Sequence, residues 1–120
     1  MRDPDNIIVM ITCSSKREAE RIGKRLLEER KVACINIIPG INSSFWWKGK
    51  IDSCSEVFLL AKTKKKEFKE IVMAVKKVHK YEVPEIIALP IVDGDKAYLK
   101  WIEKSVENLQ DKRRYGNFVN

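Results

Sequence analysis

His79 is the only histidine among 120 residues, and Tyr81, Glu82 and Glu85 follow it within six positions. One short loop therefore gathers an imidazole, a phenol and two carboxylates. Cys34 lies in an apolar run that reads as a strand, from which its thiol can reach the same neighbourhood. Imidazole, thiolate and carboxylate are the donors that copper or zinc takes, so His79, Cys34 and Glu85 are candidate ligands for copper or another divalent cation. No C-x-x-C or H-x-x-x-H spacing accompanies them. A lone histidine near a helix end also serves as a dipole partner or a packed ring. Cys13, just ahead of a helix start at Ser15, is either a reactive thiol of lowered pKa or a small buried apolar residue. Cys54 belongs to the second class unless it is exposed. The chain has no phosphate-cradling glycine loop and no nucleophile elbow, and no catalytic residue is assigned.

The elements that must position these groups follow from the apolar period. Asn6–Cys13 is a nearly continuous apolar strand, suited to a central place in a sheet. Ser15 and Glu18 form an S-x-x-E capping-box signature, after which Ala19, Ile22, Gly23, Leu26 and Leu27 share one helical face. Thr63 is the expected N-cap of a second helix carrying Phe68, Ile71, Val72, Val75 and Val78. Glu85–Val92 reads as a strand, and Pro90 points to a sheet edge. After Asp93-Gly94-Asp95, a third helix carries Tyr98, Trp101, Ile102, Ser105, Val106 and Leu109. The order predicts an α+β, ferredoxin-like βαββαβ sandwich with an extra C-terminal helix. Residues 1–5 are expected to be disordered, 6–109 to form the domain, and 110–120 to be a loose basic tail.

The longest element is a hairpin. Val32 to Trp47 would extend about 50 Å at about 3.3 Å per residue, too long for a domain of this size without bending or projecting. Pro39-Gly40 marks the bend and Lys48-Gly49-Lys50 the turn back. The far end carries Phe45, Trp46 and Trp47. These aromatics either cap the local core or are covered by a second copy of the chain, and the excess length favours self-association.

Composition fits one globular domain, at 44% hydrophobic residues. No apolar window suggests a membrane span, and MRDPDN lacks the apolar segment of a secretory signal. Three cysteines at irregular spacing point to a reducing compartment, with the cytoplasm as the expected location. Most of the net charge of +7 sits between residues 62 and 80, where eight lysines face two acids. That run reads as the solvated face of a helix. No RNP-like aromatic pattern lies on the third strand, so specific nucleic-acid binding is not expected.

Several segments, VACINIIPGI, WWKGKI, the KT after VFLLA, HKYEVPEIIALP and G-x-x-x-YLKWI, closely resemble the CutA family of divalent-cation tolerance proteins, from about Ile7 to Ile102. The resemblance implies a non-enzymatic homotrimer, similar in architecture to the PII signalling proteins, with clefts between subunits and a role tied to copper or other divalent ions. The cleft positions that match are Cys34, Glu56, Lys62, His79, Tyr81, Glu82, Glu85 and Trp101, while Phe45, Trp46 and Trp47 belong to the trimer interface. It leaves two further roles open: sensing a small anionic ligand in the PII manner, and a scaffold for maturation or localisation of other proteins. The chain departs from the family pattern at Lys80, where a proline is usual, and at Ile11 and Val78, where some members carry a cysteine and a second histidine.

Overall fold

The computed structural model describes residues 5–107. Its elements, in chain order, are β1 (Asn6–Cys13), α1 (Lys16–Glu28), β2 (Cys34–Trp47), β3 (Lys50–Lys64), a 3-10 turn (Lys65–Glu67), α2 (Phe68–Val78), β4 (Ile86–Pro90) and α3 (Lys96–Ser105). The strands form one antiparallel sheet in the order β2-β3-β1-β4. This is the ferredoxin-like sandwich, with β1 inside the sheet and the proline-bearing β4 at its edge.

Strand alternation divides the residues between two faces. Ile7, Val9, Ile11 and Cys13 of β1, with Leu59 and Ala61 of β3, meet Ala19, Ile22 and Leu26 of α1 and Ile71 and Val75 of α2 in one buried core. Lys62, Leu60, Phe58 and Glu56 alternate to the other face of β3. That face is covered in part by α3, whose Ile102 is fully buried. Gly23 is where α1 comes closest to the sheet. A Cβ there would collide with the Ile35 Cδ1 methyl and lie 3.2 Å from Leu59 Cδ1.

The long arm bends as its sequence suggests. Register is lost between Ile38 and Ile41, and Gly40 has φ +76°. Lys48 and Gly49 both have positive φ (50° and 80°), matching the two-residue turn that suits the twist of a hairpin. Beyond the bend the two strands pair only with each other, from Ile41↔Glu56 to Trp47↔Lys50.

Two helix boundaries differ from expectation. Thr63 does not cap α2. It remains in β3 opposite Ile7, fully buried, and its hydroxyl donates to the Lys31 carbonyl at 2.6 Å. Sheet pairing takes precedence over the local cap, and α2 starts from the 3-10 turn without a side-chain cap. At the other end of α1, Arg30 adopts φ 56°. Its N–H donates to Leu27 and that of Lys31 to Leu26, the paired bonds of a Schellman stop usually built on glycine. The Arg30 guanidinium donates to the Ser105 carbonyl at 3.0 Å, tying this stop to the end of α3. Leu109 and the expected tail from residue 110 lie outside the described residues, as do residues 1–4 of the expected disordered N-terminus.

Gly23→Ala tests the helix–sheet contact. The added methyl gains about 1 kcal/mol of helix propensity but forces Ile35 and Leu59 apart, at a cost of roughly 1–3 kcal/mol. A lower denaturant midpoint at unchanged slope is expected, and Ile35→Val should recover part of the loss by making room.

Candidate functional site

The first helical turn of α1 sets the site. Ser15, in extended conformation, accepts from the Glu18 N–H at 3.1 Å and so caps the helix. In a full capping box the Glu18 carboxylate would return to the Ser15 N–H. Instead Oε1 accepts from the Ser14 N–H (2.7 Å) and the Ser14 hydroxyl (2.9 Å), and Oε2 accepts from the Lys80 N–H at 2.8 Å. Glu18 is only 3% exposed. Burial alone would push its carboxyl up. The Ser14 and Lys80 N–H groups and the Ser14 hydroxyl outweigh that and hold it below its usual value.

Helix α2 delivers His79 to the same place. Its C-cap position is extended, which turns the ring into the end of β1. Nε2 lies 2.7 Å from the Thr12 carbonyl, which can only accept, and Nδ1 accepts from the Tyr81 N–H at 3.0 Å. These partners assign the neutral tautomer with its proton on Nε2. The His79 side chain is wholly buried, with Nδ1 3.8 Å from Glu18 Oε2. Tyr81 packs its ring 4.9 Å from that of His79. Its hydroxyl lies against the buried Glu56 carboxylate and the Cys54 thiol. Desolvation, then the bond and charge of Glu56, hold the Tyr81 phenol well above its usual range. The contacts thus run continuously from α1 through the 79–81 loop to β3.

Donor atoms of Cys13, Glu18 and His79 lie within 4.8 Å of one another, the one such metal-compatible group among the described residues. It does not fit a resident ion as it stands. Both imidazole nitrogens and both Glu18 oxygens are engaged in hydrogen bonds. Burial, followed by the charges of Glu18 and Glu56, pushes the Cys13 thiol up to about 12, opposite to what a metal-ready or reactive thiolate needs. Cys13 is the small buried residue of the two readings, whereas Cys54 is exposed.

The other sequence-derived candidates lie apart from this cluster within one chain. Cys34 pairs with Lys62 on β3, whereas Cys13 pairs with Val57, so Cys34 stands near the opposite end of the sheet. Its thiol makes only long contacts, 3.8 Å each, to the Ile35 carbonyl and Asn36 Oδ1. Lys62 Nζ sits 5.8 Å over the Tyr98 ring, and Tyr98 and Trp101 stack at 5.5 Å, so Lys62 and Trp101 form a second group under α3. Glu82 and Glu85 are exposed; the Glu85 carbonyl accepts a long backbone bond from Thr12 (3.4 Å). Phe45, Trp46 and Trp47 crowd the hairpin tip, where Trp46 is 72% and neighbouring Ile51 68% exposed. Sequence reasoning missed Glu18 as the centre of the site, because S-x-x-E alone reads as a cap. Ser14 and Thr12 act through position and backbone, and residue type gave no signal for them.

Comparison with known proteins adds an independent line. A family model described as CutA1 divalent ion tolerance protein matches residues 7–105. A divalent-cation tolerance protein CutA of Archaeoglobus fulgidus is 48% identical over 99 residues, 82% of this chain and 96% of that one. Human protein CutA is 40% identical over 101 residues, and there the match spans 56% of the longer protein. Among solved structures, an A. fulgidus CutA described as periplasmic superposes with a TM-score of 0.82 at 46% identity, covering 85% of this chain and 99% of that one. Rice CutA1 gives 0.83 at 37% identity, covering 88% and 97%.

Glu18→Gln tests the cluster. The amide keeps one acceptor but turns an NH2 toward an N–H, so a loss of roughly 1–3 kcal/mol is expected in denaturant unfolding at neutral pH. Because the folded carboxyl lies below its usual value, the parent holds this stabilisation above the ordinary carboxylate range and loses it as pH falls through the folded value. The parent–variant gap should therefore narrow on acidification.

Proposed function

The chain belongs to the CutA1 divalent ion tolerance family, and from that premise we propose that it acts without catalysis, as a homotrimer whose inter-subunit clefts bind copper or another divalent cation weakly. What carries the reading is the division of the candidate groups within one chain. His79, Tyr81, Glu56 and Glu85 sit at one end of the sheet, and Cys34, Lys62 and Trp101 toward the other. Glu56 and Lys62 stand six positions apart on β3, roughly 20 Å at about 3.3 Å per residue. A cleft using both groups needs one end from one copy and the other end from its neighbour. The bare hairpin tip and the two open sheet edges, β2 and β4, supply surfaces for that contact.

In this reading Cys34 offers a half-exposed thiol, Glu85 an exposed carboxylate, and His79 an imidazole that must give up the Tyr81 N–H before it can ligate. That exchange keeps affinity modest, and Ile11 and Val78 add no donors. The three free cysteines suit a reducing compartment, the cytoplasm in our reading. The lysines near the cleft favour a second reading, a sensor of a small anionic ligand.

Sedimentation equilibrium should give three times the chain mass at micromolar concentration. Trp46→Asp combined with Trp47→Asp should give monomer or aggregate; a double variant that remains trimeric would release the hairpin tip from the assembly. For the metal, calorimetry with copper at neutral pH should show stoichiometric heat that Cys34→Ser and Glu85→Gln weaken and His79→Ala abolishes. If all three variants bind like the parent, the ion sits elsewhere.

A further inference from the structure

A second concavity lies outside the cluster, on the helix-covered face beside the β4 edge that the proposed trimer would also use. It is a depression of about 450 Å³ between the start of α2 and the edge strand β4. Its floor is Ile7, Phe68, Ala88 and Pro90, its rim carries Lys66 and Lys69, and no carboxylate lines it. The fold explains why it is open. Ile7 pairs with Pro90 and Val9 with Ala88, so these β4 side chains share the helix-covered face. Near the C-terminal end of α2, Ile86 is packed against the core. Toward the N-terminal end the small Ala88 and Pro90 stay exposed beside a half-buried Phe68. The lysine turn is fixed in place, because the Lys65 N–H donates to the Asp5 carbonyl at 2.6 Å.

An apolar floor under a cationic rim with no acidic counterpart has a specific complement. We propose that this depression binds a small amphiphilic anion, its apolar body on Ile7, Phe68, Ala88 and Pro90 and its carboxylate-like head at Lys66 and Lys69. The volume falls within the range of single small-molecule sites, about 300–1,000 Å³, and leaves little room for a folded segment of another protein. The run from Lys62 to Lys80 is thus not one uniform solvated face. Its first turn borders an apolar surface, and the remainder points away from it.

The test uses the intact protein and decanoate below its micelle concentration, followed by displacement of an anilinonaphthalene sulfonate dye and by calorimetry. Expected is saturable binding of one decanoate per chain, at least tenfold tighter than decanol and weakening as salt is raised. Lys66→Glu with Lys69→Glu should weaken it at least tenfold. Ala88→Trp, which fills the floor, should abolish it while sedimentation mass and thermal midpoint stay those of the parent. Decanol binding as tightly as decanoate, equal affinity in all variants, or no saturable binding below the micelle concentration would each overturn the proposal.

Discussion

A carboxylate taken out of water must have its oxygens satisfied, and the arrangement of this chain around Glu18 follows from that constraint. The three donors that reach it come from the residue preceding the α1 cap and from the backbone of Lys80, 62 positions away. Satisfying Glu18 therefore brings the start of the first helix against the loop that follows the second. Once Lys80 is held, His79 must turn inward to the Thr12 carbonyl and Tyr81 is left facing β3. The geometry of the candidate site is the consequence of one buried negative charge.

The covered face of the sheet and its open surfaces follow a different logic. Two helices over β2, β3 and β1 give a continuous core on one side, and α3 gives only partial cover on the other. The hairpin beyond the bulge leaves that core altogether, so its aromatics have no partner strand other than each other. A chain built this way has stable packing where its crossovers fall and unspent apolar surface at the hairpin tip and the sheet edges. The self-association proposed above would cover both.

Most of the fold was legible because its signals are periodic. The apolar run of β1, the helical stripes of α1 and α2, the bulge at Pro39-Gly40 and the edge position of Pro90 all sit where local chemistry places them. Thr63 was illegible because its fate was decided by a partner far along the chain, Ile7, and by the Lys31 carbonyl. Arg30 was illegible because a left-handed stop normally announces itself with glycine. The site was legible in part. His79 and Tyr81 stand out by type, and Tyr81 does meet Glu56. The role of Glu18 depends on Lys80, whose contribution is a backbone N–H that any residue but proline would offer. The Lys80 N–H is therefore a donor that the proline implied by the resemblance could not have offered to the buried carboxylate.

That last point bears on how such a protein would handle metal ions. A site built to keep an ion holds its ligands ready, with neutral imidazole and thiolate lone pairs directed at a vacancy and outer partners orienting them. In the Cys13–Glu18–His79 cluster those lone pairs are already committed within the chain, and the thiol is held in its protonated form. The cluster pins the 79–81 loop, while the groups free to meet an ion lie outside it, the Glu85 carboxylate exposed beyond the loop and the Cys34 thiol toward the opposite end of the sheet. An ion held between copies by such groups, as proposed above, would exchange readily, because little of one chain is organised around it. In the reading proposed above, such loose engagement would suit a metal-tolerance role better than the closed site of a metalloenzyme does.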